Sequence, residues 1–136
     1  MPVTANSIIT PQTPKSAVAA TTTANSTYGA SPTNTVLLVT AGANGGRLVR
    51  LHAIPIATVT TANQLQLFRS QDGGVTKVFA DSAVMATYAL AQSTAAPKTD
   101  FGYSDDNPMI LAANERLYVA TGQSQAVDWV AEWADY

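Results

Sequence analysis

Apolar residues along most of this chain recur at every second position, in short runs broken by Gly, Asn, Asp and Pro. A two-residue period places alternate side chains on one face of a strand. Gln64-Leu65-Gln66-Leu67 shows it cleanly and predicts a strand with Leu65 and Leu67 inward. Val127 to Trp133 shows it again, with Val127, Trp129, Ala131 and Trp133 on one face and Asp128, Val130 and Glu132 on the other. Arg47 to Ile54 also alternates. Its spacing puts Val49, Leu51 and Ala53 on one face and Leu48, Arg50, His52 and Ile54 on the other, and Pro55 then limits pairing. Thr35 to Ala41 is instead a continuous β-branched and aliphatic run, which predicts a strand covered on both faces.

Turn chemistry separates these runs. Ser70-Gln71-Asp72-Gly73-Gly74, between Leu67-Phe68 and Val75 to Phe79, predicts a hairpin. Ala41-Gly42-Ala43-Asn44-Gly45-Gly46 reads as a second hairpin turn, because Asn-Gly tolerates positive φ. Met109-Ile110-Leu111 and Arg116 to Ala120 are strand patterns around Ala113-Asn114-Glu115. Ala80 to Leu90 is assigned to a strand, although Val84, Met85 and Tyr88 also suit one helical face, and Ala91 to Pro108 reads as a polar loop. About seven or eight short strands with turns between them make an all-β sandwich, jelly-roll-like, the expected fold of residues 36–136.

Residues 1–35 differ in kind. Lys15 is their only charged side chain, and Thr, Ala, Ser, Asn and Pro supply most of the rest. Ser16 to Ala20 is too short and too weakly amphipathic for an isolated helix. The segment is therefore expected to be an extended N-terminal arm lying along a neighbouring subunit.

Composition points the same way. Charged residues make up 12% of the chain, against about 25% in typical soluble domains. A subunit that buries much of its surface against neighbours tolerates such a neutral exterior. The net charge is −2, and the seven basic residues are scattered. That argues against a nucleic-acid groove, which needs a Lys/Arg stripe. No membrane span and no signal peptide are expected, since no run is apolar enough for the first and Met1-Pro2-Val3 opens without a basic region.

Candidate chemistry is sparse, and no catalytic, cofactor-binding or metal site is expected. The Ala41–Gly46 turn lacks the Gly-Lys-Ser/Thr ending of a phosphate loop. His52 is the only histidine and cysteine is absent, which disfavours zinc. Asp100, Asp105, Asp106 and Asn107 offer oxygen ligands, but their spacing is not that of a calcium loop. The candidates for partner contact are Lys15 on the arm and Arg47, Arg50 and Arg116 on the sheets, because arginine is favoured at interfaces.

Four stretches carry a resemblance: Thr40 to Gly45, Leu65 to Gly74, Ala113 to Val119 and Glu132 to Tyr136. Over roughly residues 34–136 the chain resembles a group of small phage and prophage proteins found among virion structural genes. The resemblance implies a virion component without enzymatic activity, in first place a capsid decoration or cement protein. Its expected partners are the major capsid protein and further copies of itself, as a dimer or trimer. A tail, neck or fibre component is one alternative. A carbohydrate-binding β-sandwich is another, and it would need Trp129 and Trp133 facing solvent.

Overall fold

A computed structural model describes residues 10–29 and 31–136. Among the described residues nine strands form two antiparallel sheets packed face to face, and no helix occurs. The strands are β1 (Thr13–Thr21), β2 (Val36–Thr40), β3 (Gly46–Pro55), β4 (Asn63–Ser70), β5 (Val78–Met85), β6 (Thr99–Asp100), β7 (Met109–Leu111), β8 (Arg116–Thr121) and β9 (Val127–Asp135). The first sheet runs β1-β9-β3-β6, with β7 pairing the start of β3; the second runs β2-β8-β4-β5. The all-β sandwich expected from the alternating pattern is thus the observed architecture.

The core lies between the sheets and is built from the inward face of every strand but β6. From β9 come Val127, Trp129, Ala131 and Trp133; from β4, Leu65 and Leu67; from β8, Leu117 and Val119. A fully buried leucine or phenylalanine contributes about 1.5–3 kcal/mol, so these alternating positions carry most of the folding drive. The hairpin expected at Asp72-Gly73-Gly74 joins β4 to β5.

Four features depart from the sequence reading. Thr13–Thr21, placed in the arm, is an edge strand of the first sheet and pairs along its whole length with the chain's own β9. An edge strand needs only small inward side chains: Ala17 and Ala19 pack on the core, and buried Thr21 accepts a hydrogen bond of 2.9 Å from Trp129 Nε1. Residues 22–29 and 31–35 then cross the outside of the second sheet. Asn25 is buried there, donating to Gln66 Oε1 at 2.9 Å and accepting from the Thr33 amide at 2.8 Å. Tyr28 stacks on Phe79 and donates to Gln64.

The second departure is in β3, where the register against β9 shifts between Leu48 and Arg50. The extra residue of this β-bulge resets the alternation. Leu48 is therefore buried together with Leu51 and Ala53, while Val49 is only half-buried. A similar shift in β2 leaves Leu37 44% exposed beside buried Leu38 and Val39, so that strand is not covered on both faces. Finally, the Ala41–Gly46 turn is not a hairpin. It carries the chain from β2 in one sheet to β3 in the other.

Candidate functional site

The four cations singled out from the sequence do not form one site: Lys15, Arg47 and Arg50 lie on the first sheet and Arg116 on the second, each with its own partner. Lys15 projects from β1 to Asp135 on β9, with Nζ 2.8 Å from Oδ2. Asp135 is only 6% exposed, and its Oδ1 accepts from the Gly42 amide at 3.0 Å and Trp133 Nε1 at 3.2 Å. A Cβ on Gly42 or Gly46 would approach this carboxylate to 3.0 Å. The glycine-rich turn does hold an anion, and that anion is the chain's own Asp135. Arg47 donates through Nη2 to the Asp105 carbonyl and so holds the β6–β7 loop against β3. Arg50, at the bulge, pairs with Glu132 at 3.4 Å; both side chains are about half exposed, at 57% and 45%. Such a surface pair contributes about 0–1 kcal/mol. Arg116 is on the other sheet and donates to the Gly73 carbonyl at 2.9 Å, bracing the β4–β5 hairpin. Lys15 and Arg47 do share a shallow groove of about 430 Å³, but Glu132 and Asp105 line it too, so it has no net positive charge.

The strongest ionic element was not among the candidates. Arg69 on β4 lies in the same phase as Leu65 and Leu67 and meets Glu115, which is fully buried. Its Nε and Nη2 engage the two carboxylate oxygens, Nη2 at 2.9 Å, and Nη2 also donates to the Ile110 carbonyl at 2.6 Å. Burial pushes the Glu115 carboxyl up. The Arg69 hydrogen bond, the Ala112 amide at 2.8 Å, the Arg69 charge and Gln71 outweigh that and hold it below its ordinary value. The hydrogen bond to Glu115 likewise raises Arg69. Nearby, Tyr103 donates to Asp81 at 2.5 Å, and burial followed by that bond raises the phenol far above its usual range. The shifts of Glu115, Arg69 and Tyr103 all lead away from neutral pH. These groups tie the two sheets together at one end of the sandwich and are not poised to move a proton. The open cavity beside them, about 550 Å³, is lined by Arg69, Gln71, Asp72, Thr76 and Val78. The signal that could have found the pair is the β4 period itself, since an arginine in an inward phase needs an acid.

The remaining candidates serve local structure. His52 lies on the outer face of the first sheet opposite Asp100 in the β3–β6 pairing. Burial, then the Lys98 charge, lowers its pKa, with Asp100 acting against them. Asp100 accepts from the Gly102 amide at 2.7 Å, and Ser104 and Asn107 exchange backbone hydrogen bonds, both 3.2 Å. Among the described residues no group of three His, Cys, Asp or Glu is placed to hold a metal ion. Trp129 and Trp133 both point into the core, so neither offers a surface platform for a sugar ring.

Comparison with protein-family models, with curated proteins and with solved structures finds no match to this chain. No helix of the described residues is long and apolar enough to cross a membrane.

Proposed function

We propose that the chain is a structural component of a phage virion, a capsid decoration or cement protein that binds the outside of the head and bridges major capsid subunits. The observation that carries this reading is the strand order. With β6 and β7 counted as one interrupted strand, the sheets run β1-β9-β3-β6/β7 and β2-β8-β4-β5. Every connection except β4–β5 and the interruption between β6 and β7 passes from one sheet to the other. Two interlocked Greek keys of this kind are the jelly-roll arrangement, which recurs in viral capsid and lectin domains. Between these two uses, the inward tryptophans favour the capsid.

In this role the protein adds buried area across junctions that packaged DNA strains from within. The neutral surface suits an assembled subunit, and the intramolecular clamps described above keep the sandwich stiff under load. Among the described residues, Arg50 keeps the most exposed side chain of the three cations in ion pairs, and it is the contact residue we assign on the outer face. The test is to mix purified protein with heads lacking it and to measure co-sedimentation and the temperature at which heads release DNA. Binding with a raised release temperature is the expected result, and Arg50→Glu should weaken it while leaving the protein folded. Protein that neither binds heads nor shifts that temperature removes the capsid role; binding to isolated tails or necks instead would place it there.

A further inference from the structure

A sandwich of two open sheets has four edges, and three of these are guarded. On the second sheet, β2 is five residues long and bulged, and β5 carries a bulge that leaves Ala80 without a partner on β4. On the first sheet, the edge opposite β1 is broken into β6, of two residues, and β7, of three. Short, interrupted or bulged edges, and Lys or Pro on the edge, are the usual defences against pairing with another strand. β1 has only the last of these, confined to one end. It has nine residues in unbroken register with β9, and no described residue pairs with its other side. Pro14 and Lys15 sit together at one end; from Ser16 to Thr21 there is no charge, no proline and no glycine. One residue past its middle, Val18 is 79% exposed on the outer face.

We infer that this edge joins β1 of a second copy, antiparallel, about a two-fold axis at Val18. The occupant follows from the strand's own symmetry. Centred on Val18, the pairing sets Ala17 against Ala19, Ser16 against Ala20 and Lys15 against Thr21. Each pair falls on one face of the joint sheet, and no charge meets its like. Because a two-fold contact is isologous, the second β1 supplies the matching pattern without a separately evolved partner strand. The two Val18 side chains meet across the seam, next to the shallow, mostly apolar groove that Val18, Ala20, Ile54 and Val130 line together with Asp128. The first sheets of the two copies become one continuous sheet. This seam goes beyond the capsid reading and does not depend on it.

The test uses the absence of cysteine from the sequence. Directly opposed residues in an antiparallel pair have Cα atoms about 4.5–5.5 Å apart, within disulfide range. Full-length Val18→Cys should therefore oxidise to a covalent dimer. Ser16→Cys alone should not, but Ser16→Cys mixed with Ala20→Cys should give the heterodimer. Wild-type protein should sediment as a dimer at about 100 μM, and Val18→Lys, which sets two like charges face to face, should weaken association by about tenfold or more. The inference is overturned if wild type is monomeric there, or if it is a trimer, since three copies cannot all share a two-fold seam. Cross-linking of Val18→Cys no faster than of Val84→Cys on the guarded β5 edge overturns it as well. A dimer that fails to bind heads would leave the seam intact and remove only the capsid role.

Discussion

Arg69 and Glu115 show what a single pair of residues contributes to this sandwich. Glu115 is fully buried and reaches no water, so its charge is tolerable only while Arg69 and the Ala112 amide face it. Arg69→Ala leaves that charge without its cation and should cost about 3 kcal/mol or more, read from the urea midpoint. Glu115→Gln removes the charge itself and leaves Arg69, about a third exposed, open to water. It should cost less, about 1–2 kcal/mol. The two also differ in acid. The folded protein holds Glu115 below its ordinary 4.5, so the unfolded chain takes up the proton first. The pair's contribution is complete above about pH 4.5 and disappears as pH falls through the lower folded value. Wild type should lose stability steeply on acidification below pH 4.5, and Glu115→Gln should flatten that limb. Equal acid limbs in the two proteins would show that other carboxylates control the transition. Tryptophan emission reports on the same interior. With Trp129 fully buried and Trp133 nearly so, it should be blue-shifted and resistant to acrylamide, and a red-shifted, readily quenched spectrum would contradict the inward packing.

At the scale of elements, much of the fold was legible wherever alternation ran undisturbed. The β4–β5 hairpin and the tryptophan-bearing face of β9 follow directly from period and turn chemistry. β3 misled because one bulge residue reverses every assignment on one side of it, and no local signal marks Val49 as that residue. β1 is not legible in the sequence, because an edge strand of Ala, Ser and Thr carries almost no hydrophobic signature. Its place is fixed by β9, more than a hundred residues away in sequence. The Ala41–Gly46 turn differs from its hairpin reading for another reason. Gly45 has φ of 81°, so the turn carries the backbone signature of a tight reversal, as the Ala113–Glu115 turn does with Asn114 at φ of 59°. The same local chemistry serves a hairpin or a crossing between sheets, and only tertiary packing decides. The candidate site was less legible still, since which acid meets Arg69 depends on that packing. Gly45 also tests the crossing. A Cβ there would sit at positive φ and run into the Leu111 carbonyl. Gly45→Ala should therefore destabilise by about 2 kcal/mol or more, with a lower midpoint in thermal unfolding. A neutral substitution would mean that the turn can relax away from β7.

At the scale of the whole sandwich, the first of the described strands, β1, lies against the last, β9. β9 is central: it pairs with β3 on one side and β1 on the other, and it brings both tryptophans to the core. β1 is peripheral, contributing small side chains, the Lys15–Asp135 bridge and the acceptor for Trp129 Nε1. Removing the two strands should therefore have unequal consequences. Without residues 127–136 the first sheet loses its middle strand and the core its largest side chains. That chain should fail to fold, with no near-ultraviolet dichroism and strong binding of a hydrophobic dye. Without residues 1–21 the remaining sandwich keeps the rest of its core, but β9 becomes a bare edge and the Trp129 N–H loses its acceptor. An unsatisfied buried donor alone costs about 1–3 kcal/mol. This second chain should fold with a lowered midpoint and should aggregate through the exposed β9, as open edges do. The outcome separates two pictures of the low-charge N-terminal segment. A tether reaching only to other subunits could be deleted without a change in the stability of the isolated protein. An integral edge strand cannot, and a truncated chain as stable and as soluble as the full one would show that β1 adds nothing to the sandwich it borders.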